Sequence, residues 1–145
     1  DMSGDAISSV EVRAVPAAEL AVDMSAEMGK VARMMGSGAR NVARLFRDAS
    51  DADALELLQD LLDVTRDFMG MLSALRERYL GGADEEFTLK AEKLADLLSE
   101  MSDVLENEDW ILLADLLEYE FLPLCDEWLV VSEHLHEQMT KRIAQ

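Results

Sequence analysis

Apolar residues recur along this chain at alternating steps of four and three, and they do so in four separate runs. Met24, Met28, Val31, Met35, Gly38, Val42 and Leu45 form the first. Ala54, Leu58, Leu61, Thr65, Phe68, Leu72, Leu75 and Tyr79 form the second. The third is Phe87, Ala91, Leu94, Leu98, Met101 and Leu105, and the fourth is Trp110, Ala114, Leu117, Phe121, Leu124, Trp128, Val131 and Leu135. This spacing keeps one side of an α-helix apolar, so each run predicts an amphipathic helix. The predicted helices cover roughly residues 17–47, 52–80, 86–106 and 108–143.

The breaks between runs carry the matching signals. Ser50 followed by Asp53 resembles a capping box. Gly81-Gly82 suits a helix end, because glycine accepts the left-handed conformation. Asp84 is placed to cap the third helix and Asn107 the fourth. Short connections make successive helices neighbours of opposite direction, which predicts an all-α fold: an antiparallel up-down four-helix bundle over residues 16–145. Gly36-Ser37-Gly38 interrupts the first run and marks either a kink or a close approach of another helix.

Residues 1–15 follow a different rule. Val10, Val12 and Ala14 alternate with polar residues, a short strand pattern. The expectation is an extended segment, the tail of a preceding β-containing region, with Pro16 then opening the first helix.

Composition narrows the classes. The chain has 145 residues, half of them hydrophobic, and only two prolines, which argues against disorder. One cysteine, Cys125, cannot form a disulfide within the chain, and no apolar run reaches membrane-spanning length. A cytoplasmic protein is expected. The formal net charge is −18. Seven acids and six bases fall in residues 1–48, leaving −1 there and −17 in the rest. Such a field repels nucleic acid and anionic membrane, so neither is expected as a partner.

Candidate chemistry is sparse. A carboxylate-bridged metal pair in a bundle needs two Glu-x-x-His motifs, and the only two histidines, His134 and His136, lie in a single one beginning at Glu133. The acids around Asp48–Asp53 lack the glycine and the bidentate glutamate of a calcium loop. Cys125 is followed by Asp126 and Glu127, which raise a thiol pKa and do not activate it. No phosphate loop and no nucleophile–base pair can be assembled from spacing. The expectation is a non-enzymatic protein with no cofactor and no metal.

The fourth run holds the most informative pattern. Opposite its core stripe, Leu112, Leu116, Tyr119 and Pro123 form a second apolar stripe. Asp115, Glu118 and Asp126 flank it on one side, Glu120 and Glu127 on the other. A helix with one buried face would be polar there. Pro123 should bend the helix and free the carbonyl of Tyr119. The candidate partner-binding residues are therefore Leu112, Leu116, Tyr119 and Pro123 with Asp115, Glu118 and Glu120. They make either an intermolecular surface or a face covered within the chain. The expected function is a helical interaction module, a homodimer through this helix or an adaptor for a basic, amphipathic helical partner. The alternatives are an acidic nucleic-acid mimic and a bundle enzyme using metal on carboxylates such as Asp115 and Glu118.

The segment from Trp110 to Trp128, containing Ala114-Asp115-Leu116-Leu117-Glu118-Tyr119-Glu120, then Pro123, resembles a segment of small bacterial helical proteins of unassigned function. The likeness extends loosely back to about residue 52. It implies a bacterial, cytoplasmic helical protein and transfers no catalytic residue.

Overall fold

A computed structural model describes the backbone of residues 2–79 and 85–144 and the side chains of residues 19–78, 85–141 and 143. Helix α1 is Met2–Arg47, α2 is Asp51–Tyr79 and α3 is Glu85–Glu106. A fourth rod follows in three consecutive pieces: α4 (Trp110–Leu116), a π-helical turn (Leu117–Phe121) and α5 (Leu122–Ala144). Among the described residues there is no strand.

The extended segment expected over residues 1–15 is instead the beginning of α1, which is helical from Met2 onward and runs across the expected boundary at Pro16. The Val10–Ala14 alternation finds no strand to pair with among the described residues. A helix satisfies its backbone N–H and C=O groups internally, whereas a lone extended stretch cannot. The Gly81-Gly82 stop and the Asp84 cap lie outside the described residues.

Both described connections use the same device. After α1, Ala49 takes φ 60° and the Ser50 N–H reaches back to the Leu45 carbonyl at 2.8 Å. After α3, Glu108 takes φ 55° and the Asp109 N–H reaches the Val104 carbonyl at 3.3 Å. These are helix C-terminal turns closed through a left-handed residue, a place where glycine is usual. Ser50 stands at the start of α2, its carbonyl accepting from Ala54 N–H at 2.9 Å. The α4 cap is Asp109 and not Asn107: its Oδ1 accepts from Leu112 N–H at 3.1 Å. Asn107 is still finishing α3, its N–H bonded to the Asp103 carbonyl.

One apolar core joins all the helices, with Met28, Met35, Val42, Leu58, Phe68, Leu75, Leu94, Met101, Leu113, Leu117, Phe121 and Trp128 at 2% exposure or less. Two polar members of the core satisfy themselves locally. Thr65 Oγ1 donates to the Leu61 carbonyl and Ser132 Oγ to the Trp128 carbonyl, each at 2.7 Å. Trp128 is caged by Phe68 and Phe87, which meet it edge-on at 5.7 and 5.3 Å between ring centres.

The helices do not pack alike. Helix α1 buries a stripe of small residues, Ala21, Ser25, Gly29, Ala32, Gly36, Ala39 and Ala43, of which Ser25, Gly29 and Gly36 meet the fourth rod. A Cβ placed on Gly36 would lie 3.6 Å from Leu122 Cδ1, and one on Gly38 would lie 3.2 Å from Leu61 Cδ1 of α2. Helix α1 passes through Gly36-Ser37-Gly38 without interruption, so the glycines serve close approach. Partner numbers fall as α1 numbers rise: Ser25 meets His136, Arg33 meets Glu133, and Phe46 stacks on Trp110 at 5.4 Å. Helix α3 approaches α5 less closely than α1 does, and it buries Phe87, Leu94 and Met101 in the core.

Candidate interaction surface

The fourth rod carries the site, and its shape begins at Pro123. Proline lacks the N–H of a regular helix and its ring collides with the carbonyl four residues back. The rod meets this with a widened turn. Leu122 N–H bonds to the Leu117 carbonyl, five residues back, immediately before the proline. Downstream, α5 resumes the regular helix at Leu122. The Leu122 N–H, which a regular ladder gives to the Glu118 carbonyl, goes to Leu117 instead, and Pro123 has no N–H for the Tyr119 carbonyl. These two carbonyls therefore lack their regular α-helical donors. Such unpartnered carbonyls persist where they can reach solvent or another donor. Tyr119 is 70% exposed and Glu120 and Pro123 are exposed, so this turn lies at the surface.

The expected surface residues separate into three groups. Leu112, Tyr119, Glu120 and Pro123 are exposed, as the outer stripe requires. Leu116 is only 5% exposed and belongs to the core, so it cannot anchor a partner. A wheel turning a constant 100° per residue set Leu116 beside Leu112. The π turn changes the phase of the helix, and in α4 the buried arc reaches round to Leu116. Asp115 and Glu118 are half-buried, and both are held by Arg47 Nη2 at 2.9 Å. Hydrogen bonds to Asp115 and then Glu118 raise the Arg47 pKa above its ordinary value. These two acids therefore join α1 to the fourth rod through Arg47.

Of the exposed group, Tyr119, Glu120 and Pro123 form one wall of a groove of about 300 Å³, with α3 as the other wall, and Leu112 lies outside it. Leu97, Leu124, Tyr119 and Pro123 supply apolar lining, while Asp96, Glu100, Glu120 and Glu127 stand around it with Lys93 as the single base. Sequence reasoning placed the Glu120 and Glu127 side of this groove. It missed α3, because nothing in the spacing of one helix tells which side its neighbour takes.

Elsewhere, Ser25 and His136 form a contact that their separation in sequence concealed. Ser25 Oγ donates to the Val22 carbonyl at 2.9 Å. His136 Nδ1 lies 3.2 Å from both Ser25 Oγ and the Val22 carbonyl. The serine proton is directed at a carbonyl, and the serine is 1% exposed, so the pair ties α5 to α1. His136 is thus half-buried. Cys125 is buried, and burial, reinforced by Asp126, pushes its thiol up to about 12. Among the described residues no three His, Cys, Asp or Glu side chains gather as a metal would require, and no described helix is long and apolar enough to cross a membrane.

Residues 23–130 match the model of one protein family, a domain of unknown function (DUF8042), and the match includes the whole Trp110–Trp128 segment. No curated protein and no solved structure matches the chain.

Proposed function

The chain belongs to the DUF8042 family, and from that premise we propose that it is a non-enzymatic interaction module. It docks another polypeptide on the exposed face of its fourth rod. We infer that its helices form an antiparallel up-down bundle, which short connections and the falling partner numbers along α1 support. In this reading the bundle is a scaffold and the π turn is the working part.

The observation that carries the reading is the placement of Tyr119, 70% exposed, and Pro123 on an open, acid-rimmed groove. Large apolar side chains at the centre of a polar rim are how protein interfaces are built. The rim selects charge. A chain at −18 repels its own copy at long range and draws a cationic one, which favours a basic partner over a homodimer.

Light scattering on the wild type and on Tyr119→Glu tests this, alone and with a synthetic basic amphipathic peptide. The reading expects a monomer that takes up the peptide and a folded variant that does not. A wild-type dimer dissociated by Tyr119→Glu would assign the face to self-association. A monomer that ignores the peptide would remove the proposal.

A further inference from the structure

We propose that the cleft between α3 and α5 receives one amphipathic helix of about four turns from a cationic partner, an inference that rests on the module reading and extends its site along the rod. The groove at the π turn does not stand alone. A second hollow of about 280 Å³ is lined by Glu86, Phe87 and Lys90 of α3 and by Val130, His134 and Gln138 of α5, among others. On the fourth rod, Pro123, Glu127, Val130, His134 and Gln138 follow one another at steps of four, three, four and four residues. Such steps keep them on one side of a helix. Glu86, Lys90, Lys93, Leu97 and Glu100 do the same on α3. The two hollows therefore lie end to end in one cleft, opened because α3 stands off from α5.

The cleft sets the guest's dimensions. From Glu86 to Glu100 at about 1.5 Å per residue, it is about 21 Å long, the length of a helix of about 14 residues. Pro123 marks one hollow and His134 the other, about 16 Å apart along the rod. A guest helix places two apolar anchors at that distance, on one face, when they are about 11 residues apart.

The cleft also sets the guest's polarity. The hollow at the π turn carries Asp96, Glu100, Glu120 and Glu127 against Lys93, while the other carries Glu86 against Lys90. The guest's Lys and Arg residues belong at the end nearer the π turn. There the Glu118 and Tyr119 carbonyls, which lack their regular ladder donors, add uncharged acceptors for the same groups. Val130, 63% exposed, supplies apolar surface at the far end. A second copy is the poorer guest, since each carries −18.

The test is fluorescence anisotropy with a labelled helical peptide of about 16 residues, leucines at positions 3 and 14 and arginines clustered around one of them. A control peptide moves the second leucine to position 12, off the shared face. Thermal unfolding confirms that each protein variant is folded. The proposal expects Val130→Glu to weaken binding at least about tenfold, as losing an anchor does. It expects Glu120→Gln with Glu127→Gln to weaken it and to flatten its salt dependence. The control peptide should bind worse and Leu112→Glu, outside the cleft, should bind as wild type. If Leu112→Glu abolishes binding and Val130→Glu does not, this proposal is overturned while the module reading stands. If no variant changes binding, or no peptide binds, both fall.

Discussion

The backbone N–H of Leu122 bonds to the carbonyl of Leu117, five residues back, one position before Pro123. That single displaced bond explains how a long apolar rod holds a proline. The chain takes a wider turn, and the proline sits on the exposed side of it.

Replacing Pro123 by Ala restores a donor and removes a poor helix former from an exposed position. The expected result is a gain of about 1 kcal/mol or more in chemical denaturation. A loss of similar size would show that the ring itself is holding the turn together.

Ala49 and Glu108 pay the strain of φ near 60° that glycine avoids. Ala49→Gly and Glu108→Gly should each raise stability by about 0.5–1 kcal/mol, additively, since they lie at separate connections. Unchanged or lower midpoints would contradict the turn geometry.

Glycines in helices should divide by their surroundings. A Cβ on Gly70 meets nothing within 4 Å, so Gly70→Ala should stabilise by about 1 kcal/mol. A Cβ on Gly38 lies 3.2 Å from Leu61, so Gly38→Ala should gain clearly less than Gly70→Ala. Equal gains at both sites would contradict the close packing of α1 on α2.

Leu116 and Leu112 differ by one helical turn and by their fate. Leu116→Glu places a carboxylate in the core and should unfold the chain or cost more than about 3 kcal/mol. Leu112→Glu should cost less than about 0.5 kcal/mol by circular dichroism melting. Similar costs would mean that the buried arc of α4 is wrongly placed.

The raised Cys125 thiol has a consequence at high pH. Its folded pKa, about 12, lies above the ordinary 9.0, so the folded state holds the proton more firmly. Its contribution is complete below about pH 9 and falls as pH rises from there toward 12. Cys125→Ala should be less sensitive to alkali than wild type over that range. An identical decline would show that the thiol is not protected by burial.

The helical content was legible in the sequence because each run of apolar residues is long and unbroken. Every position of the fourth run from Ala114 to Trp128 is buried. What escaped has a physical cause in each case. The stripe from Ala21 to Ala43 on α1 is made of small residues, which register weakly in any count of apolar bulk, yet at Gly29 and Gly36 they let the fourth rod come close. Leu116 was misplaced because a helix of constant pitch cannot represent a π turn. Arg47, Asp115 and Glu118 meet across about 70 residues of chain, and the partnership of α3 with the groove is likewise a tertiary fact.

The central claim, that the acid-rimmed face of the fourth rod is where another polypeptide binds, is tested most directly by following the backbone amide resonances while a basic amphipathic peptide is added. The account predicts shifts concentrated at Tyr119, Glu120 and Leu124, continuing through Val130 to His134 and across α3 from Glu86 to Glu100. Shifts confined to α1 and α2, or none at saturating peptide, would contradict it.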